Sequence, residues 1–414
     1  MVNKNLHDTE VNRILELETR RQKETINLIA AENYASRAVL QAQGSIFTNK
    51  YAEGYPEHRY YAGCRYVDEI ETVAIERAKK LFKSEHANVQ PHSGSQANMG
   101  VYFGLLTPGD VVMGMTLSHG GHLTHGAPVN FSGRWYKFVP YGINQKTELI
   151  DYDQVEELAL KHKPRLIMAG ASSYPRSIDY ERFRAIADKV GAILVVDMAH
   201  IAGLVAAGVC ASPVPIADVV TSSTHKTLRG PRSGFVLCKR ELAAKIDAGV
   251  FPAMQGGPLV HAIAAKAVAF FEAMQPEFVT YQQAVLENVK VLAQELQQSG
   301  FRLVSGGSDN HLVLIDLTKT GITGKVAQET LEAAGILVNR NAIPFDPKPP
   351  QITSGIRLGS PAVTTRGFGA AEMKQIAALV TRVLSDPDNK KIEQQVREEV
   401  VSICSNFPVP GIDF

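Results

Sequence analysis

The chain has 414 residues, 45% of them hydrophobic and 21% charged, the balance of a globular protein large enough to bury its core without disulfide or metal staples. Its 43 basic and 42 acidic side chains sum to +1, which excludes a chain built to hold nucleic acid or an anionic membrane by bulk charge. Cys64, Cys210, Cys238 and Cys404 are scattered and form no Cys-x-x-Cys pair, so a reducing compartment is expected rather than a disulfide framework.

In chain order, the polar N-terminus carries no apolar signal-peptide core, and a cytoplasmic location is expected. Residues 8–25 read as a charged surface helix. Val67, Ile70, Val73, Ala74 and Leu81 recur at helical spacing and predict an amphipathic helix over 66–83. From 85 to 240 short apolar runs alternate with helical segments: strands over 110–115, 165–171, 192–197, 218–223 and 234–239, and a helix over 180–191 that ends on a glycine. The most apolar stretch, Gly191 to Val209, contains Asp197 and His200 and reads as a buried strand and a loop, not a membrane span. Alternation of this kind predicts an α/β domain with a mostly parallel sheet. A long helical region follows over 258–299. Strands over 301–306, 311–317 and 355–360, with helices over 324–335 and 370–384, then predict a smaller α+β domain. Residues 341–351 hold four prolines and read as loop. The expected division is an N-terminal arm (1–50), a large domain (51–279) and a small C-terminal domain (280–414).

Several polar residues stand out against this background. Asp197 ends an apolar strand, where a carboxylate is costly unless it caps a turn or meets a cation, and His200 lies three residues on. Lys226 follows the apolar run over 218–223, among His225, Arg229 and Arg232; it is either a nucleophilic amine of lowered pKa or part of a basic phosphate-binding loop. Ser93, Gly94 and Ser95 open a helix-like segment, so their N–H groups and hydroxyls are placed to hold a phosphate. His92, His119, His122 and His125 lie close together without a neighbouring acidic or thiol ligand. No metal is therefore assigned, and an imidazole face against a planar cofactor is the better reading. Arg357 on an otherwise apolar strand calls for a planar carboxylate, from a structural partner or a substrate. Residues 49–64 pack tyrosines with Glu53, Glu57 and Arg59, as in an interface or a lid. Phosphate cradle, aspartate, lysine, stacking imidazole and carboxylate-binding arginine together are the needs of a pyridoxal phosphate enzyme acting on amino acids.

The motifs LIAAENY (28–34), TNKYAEGYPEHRYYAGC (48–64), NVQPHSGSQAN (88–98), SHGGHLTHG (118–126), VVDMAHIAGLVAAG (195–208), STHKTLRGPRSG (223–234), FPAMQGGP (251–258) and TSGIRLGSPAVTTRG (353–367) resemble the serine hydroxymethyltransferase family, in its shorter bacterial form, over nearly the whole chain. The resemblance implies the aminotransferase-like fold type I, with a large seven-stranded domain. It implies a homodimer with shared active sites, and transfer of the serine hydroxymethyl carbon to tetrahydrofolate, giving glycine and 5,10-methylenetetrahydrofolate. Lys226 would carry the pyridoxal phosphate covalently. Asp197 would meet the pyridine nitrogen, His200 the ring hydroxyl side, and His122 the ring face. Ser93, Gly94 and Ser95 would hold the phosphate, with Tyr51, Gly256 and Gly257 arriving from a second subunit. Ser172 would sit close to the cofactor, and Arg232 would support the catalytic loop. Arg357 would clamp the substrate carboxylate. Glu53, also from the neighbour, would handle protons near the serine hydroxyl and the folate. Tyr61 and His225 would line the substrate side, while Tyr60, Leu117, Gly121, Leu123 and Asn341 would meet substrate or folate. Three residues depart from the family pattern: Ala31 where serine is usual, Ala62 where glycine is common, and Gln351 where an aromatic is common. They bear on substrate preference, so activity on 2-methylserine or D-alanine, or a threonine-type aldolase reaction, is the alternative.

Overall fold

The computed structural model describes residues 7–413. It divides into two compact units, residues 38–282 and residues 7–37 with 283–413; the division falls within the helix Pro276–Gln298.

The larger unit is built on a seven-stranded sheet: β1 (His86–Asn88), β2 (Val111–Met115), β3 (Lys137–Tyr141), β4 (Leu166–Gly170), β5 (Ile193–Asp197), β6 (Val219–Ser223) and β7 (Gly234–Cys238). Their order is β1-β7-β6-β5-β4-β2-β3, and β7 alone runs against its neighbours. Helices cover both faces, which explains the unbroken apolar runs. Ile167, Ala169, Leu194, Val196, Phe235 and Leu237 pack into one core with the helices Arg65–Phe82, Tyr180–Val190 and Val260–Ala273. The alternate residues Leu166, Met168, Val195, Val236 and Cys238 pack into another with the helices Gly94–Leu105 and Ala243–Val250. With a side-chain period of two and both faces buried, neither set can be polar. β3 has no counterpart in the sequence reading. Pro140 sits inside it, which only an edge strand tolerates, and β3 is an edge strand.

The smaller unit carries an antiparallel sheet of β8 (Arg302–Leu303), β9 (Leu312–Asp316), β10 (Asn339–Asn341) and β11 (Gly355–Gly359), ordered β8-β9-β11-β10. The helices Gly324–Ala333, Ala370–Ser385 and Lys390–Cys404, with Val289, Leu292, Ala293 and Leu296 of the helix Pro276–Gln298, pack into its core. Ile26–Asn27 pairs in parallel with Ile336–Leu337, which ties the N-terminal residues into this unit. The region over 258–299 is two helices, because Pro276 lacks the N–H that would continue the first and instead starts the second. Asn341, expected in a loop, ends β10 because it pairs with Gly355 before the first proline intervenes.

Candidate active site

In the larger unit the loops that follow β2, β4, β5 and β6 leave the carboxyl ends of parallel strands, where α/β sheets bind ligands. Asp197 closes β5, in register with Gly170 on one side and Thr221 on the other. Its Oδ1 accepts the N–H of Ala199 at 3.0 Å, a local turn bond. Its Oδ2 accepts from Asn98 Nδ2 at 2.9 Å and from His125 Nε2 at 3.1 Å. The other nitrogen of His125, Nδ1, accepts the N–H of His122 at 3.3 Å, so this ring donates to Asp197 from Nε2. Burial alone would raise the Asp197 pKa. The His125 hydrogen bond, with the electrostatic influence of His125, His122 and Lys226 around it, outweighs it and holds the carboxyl well below the usual carboxylate range. Asn98 is fixed in turn by Thr124 Oγ1 at 2.8 Å and by the Thr221 hydroxyl at 2.6 Å.

Lys226 lies three residues beyond β6 and is half-buried. The turn that presents it is closed on both sides. Thr224 N donates to Ser233 O at 3.1 Å and Gly230 N to Thr224 O at 2.7 Å. Thr227 Oγ1 donates to the carbonyl of His200 at 2.9 Å, and its own carbonyl accepts from Gln282 Nε2 at 2.7 Å. His200 is thereby bound through its backbone to the residue after Lys226. Burial, with the charges of Lys226 and Arg232, draws the pKa of His225 down to about 3. Its Nδ1 is buried without a hydrogen-bond partner. Arg232 is exposed.

Ser93 caps the helix Gly94–Leu105, its hydroxyl accepting the N–H of Gln96 at 3.2 Å. The first N–H groups of that helix, those of Gly94 and Ser95 among them, have no intrahelical acceptor and stand at the positive end of the helix dipole. A Cβ at Gly94 would lie 3.3 Å from Ser223 Cβ, and one at Gly234 only 2.3 Å from Ser93 O. The cradle therefore sits against the end of β6 and the start of β7. The hydroxyl of Ser223, at this junction, is buried and unpaired. His122 Nδ1 shares a 2.7 Å hydrogen bond with Thr124 Oγ1, and burial lowers the pKa of this ring to about 4. Leu117 and Leu123 stand exposed on the two short turns flanking Gly121. Ser172 N donates to Gly120 O at 2.7 Å and holds the β4 loop to that segment.

Tyr51, Glu53, Tyr61, Gly256 and Gly257 form a second cluster. Tyr51 donates to Glu53 Oε1 at 3.3 Å and packs edge-on against Tyr61, with ring centroids 4.9 Å apart. A Cβ at Gly256 would come within 2.8 Å of Glu53 Oε1, and one at Gly257 within 3.4 Å of the Tyr51 ring. Tyr60 packs edge-on against Phe251 and is 75% exposed. Arg357 and Asn341 belong to the smaller unit. Arg357 is buried on β11 opposite Asn339, whose Oδ1 accepts from its Nε at 3.0 Å, and Asn341 stands two residues further along β10.

The serine hydroxymethyltransferase family profile matches residues 4–380. Two curated relatives, both called serine hydroxymethyltransferase and both from Dehalococcoides mccartyi, are similar over 397 residues. That of strain 195 is 63% identical and that of strain CBDB1 62%, each alignment covering 96% of either chain. The chain belongs to the serine hydroxymethyltransferase family. The α/β architecture with its large, mostly parallel central sheet is that of a fold type I enzyme, as the motifs imply.

Within this family member, Asn98, Thr124 and Thr221 escaped the sequence reading although they fix Asp197 and its partners. The available signal was Asn98, a polar residue on the buried face of an otherwise apolar helix. Ser223 was hidden at the end of a strand run. His122, His125 and Asp197 bring one potential ligand atom each within 4.8 Å of one another. Their hydrogen bonds, His122 to Thr124 and His125 to Asp197, organise the carboxylate from within.

Proposed function

We propose that the chain transfers the hydroxymethyl carbon of serine to tetrahydrofolate, giving glycine and 5,10-methylenetetrahydrofolate, with pyridoxal 5'-phosphate bound in the larger unit and linked to Lys226. The observation that carries the reading is Asp197, a buried carboxylate kept ionised by His125 at the carboxyl end of the central strand. A protonated pyridine nitrogen calls for such an anion. The fit extends further. The helix start at Ser93–Ser95 suits a phosphate, and the unpaired Ser223 hydroxyl and His225 Nδ1 are buried polar atoms that a ligand would satisfy.

When bound, the cofactor accepts the electron pair left on the amino-acid α-carbon. This chain's residues do the rest. Asp197 would keep the ring nitrogen protonated, uncharged His122 would meet the ring face, His200 the side of its hydroxyl, and Ser172 would sit close to it. Arg357 holds the substrate carboxylate and so sets which α-carbon bond is aligned for cleavage. Glu53 holds a proton near the serine hydroxyl, while Tyr61 and His225 line the substrate side. Leu117, Leu123 and Asn341 take the folate, Tyr60 and Gly121 meet substrate or folate, and Arg232 supports the Lys226 loop. The exposed Tyr51, Tyr60 and Tyr61, clustered with half-buried Glu53 beside Gly256 and Gly257, favour a homodimer in which each protomer completes its partner's site. Four free cysteines, three of them buried, suit a cytoplasmic protein. Among the described residues no helix is long and apolar enough to cross a membrane.

The test is turnover of L-serine with tetrahydrofolate by the purified protein, read as glycine and methylenetetrahydrofolate in equal amounts. Conversion of 2-methylserine or D-alanine without conversion of serine would overturn the assignment.

A further inference from the structure

Lys266 is the one lysine among the largest fully buried side chains. It lies on the inner face of the helix Val260–Ala273, among Ile263, Ala267 and Phe270. Its ammonium donates to the carbonyl of Val89, to Gly234 O at 3.0 Å and to Pro91 O at 3.5 Å. Three N–H donors thus meet three acceptors, and all three acceptors flank one feature. Residues 89–91 lead directly into Ser93–Ser95, and Gly234 opens β7, against which the Ser93 carbonyl rests.

The surrounding polar groups hold the same segment. Gln255 Nε2 donates to Gln90 O at 2.9 Å, while Ser233 Oγ and Gly234 N each donate to Pro91 O at 3.1 Å. The Gln90 side chain donates to Glu71 Oε1 at 2.7 Å and to Gly54 O at 2.9 Å, and Glu71 pairs with Arg59 at 2.6 Å. Glu71 is the anion whose charge acts on Lys266; burial draws the lysine's pKa down to about 7 against that opposing charge. A lysine this deep is costly to keep. An apolar side chain would fill the same helix face but leave the carbonyls of Val89 and Gly234 without this donor.

We propose that Lys266 is a positioning residue for the phosphate cradle: its ammonium joins the Val89–Pro91 segment to the start of β7 and so aims the first N–H groups of the helix Gly94–Leu105 at a single phosphate. It acts from behind the cradle, through backbone carbonyls. The inference rests on the reading of Ser93–Ser95 as the phosphate site.

The test compares pyridoxal 5'-phosphate with pyridoxal, which lacks the phosphate, in wild type, Lys266→Met and Lys266→Arg. Dissociation constants are taken from absorbance titration of the cofactor-depleted protein, and the phosphorus resonance of bound pyridoxal phosphate is recorded. For Lys266→Met the expected result is at least about tenfold weaker binding of pyridoxal phosphate, a shifted phosphorus resonance, and pyridoxal binding within about threefold of wild type. Lys266→Arg, which keeps the charge on a differently shaped group, is expected to fall between the two. If Lys266→Met does not fold, Lys266→Arg decides alone: an unchanged preference for the phosphorylated form and an unmoved resonance overturn the proposal. Equal losses for both ligands in Lys266→Met overturn it too, because they show a general loss of structure. A wild type that binds pyridoxal as tightly as pyridoxal phosphate would instead refute the phosphate site itself.

Discussion

Gly234→Ala isolates the cradle with a single methyl group. Gly234 has a backbone conformation that alanine adopts freely, so the perturbation is steric. The added Cβ would sit 2.3 Å from Ser93 O, 2.5 Å from Ser93 C and 2.9 Å from Gly94 N, where real Cβ contacts essentially never fall below 3.0 Å. All three neighbours are backbone, so no flexible side chain can yield, and the cradle must retreat by about 0.7 Å or more. Hydrogen bonds of about 2.9 Å stretched by that amount pass the 3.5 Å limit of useful geometry. A hydrogen bond to a charged group is worth about 1.5–3 kcal/mol, so losing two of them costs about 3–6 kcal/mol. That is a hundredfold to ten-thousandfold weaker hold on the phosphate, to order of magnitude. The assay is titration of cofactor-depleted protein with pyridoxal 5'-phosphate. Gly44→Ala serves as control, since its Cβ would meet nothing closer than 3.6 Å. A Gly234→Ala protein that binds within about threefold of wild type would refute the placing of the phosphate at Ser93–Ser95.

Two further outcomes follow from the site. The pKa of His225 is lowered from 6.5 to about 3. Between those values the unfolded chain binds a proton that the folded chain does not, so this histidine makes stability fall as pH falls, by about 1.4 kcal/mol per pH unit. His225→Asn should remove that slope from denaturant unfolding of the cofactor-free protein between pH 6 and pH 4, and parallel profiles for the two proteins would contradict the buried, neutral imidazole. Arg357→Lys keeps the charge but loses the planar fork. It should lower kcat/KM for serine by about tenfold to a hundredfold while pyridoxal phosphate binding stays unchanged. Equal weakening of both would place the arginine elsewhere in the chemistry.

The parts of the fold that were legible in the sequence are those whose burial leaves a periodic trace. β2, β4, β5 and β7 are covered on both faces and are apolar almost throughout, while β6 carries the trace only in Val219 and Val220, ahead of the buried polar residues Thr221, Ser222 and Ser223. The helix Tyr180–Val190 announced its end because Gly191 takes the left-handed conformation, φ +67°. The edge strand β3 left no such trace: Lys137 and Pro140 are exposed, and its proline resembles a turn. The helix Lys390–Cys404 was missed for a related reason, since most of its surface is charged and only Val396, Val400 and Cys404 are buried.

The site divides in the same way. Asp197, Lys226 and Arg357 were visible because a charge at the end of or within an apolar run is energetically conspicuous. Asn98, Thr124, Thr221 and Ser223 were not, because amides and hydroxyls look like ordinary polar residues in sequence. The meaning of the first three comes from long-range pairing: Asn98 and Thr221 are 123 residues apart, and their side chains meet at 2.6 Å.

Lys226 is the claim on which the account turns, and one measurement reaches it directly. The protein with its cofactor is reduced with borohydride and digested, and the peptides are sequenced by mass spectrometry. The pyridoxyl-phosphate mass is expected on Lys226, in the peptide spanning Ser223 to Arg229, and Lys226→Ala should yield no modified peptide. A reduced link on another lysine, or an undiminished link in Lys226→Ala, would contradict the account.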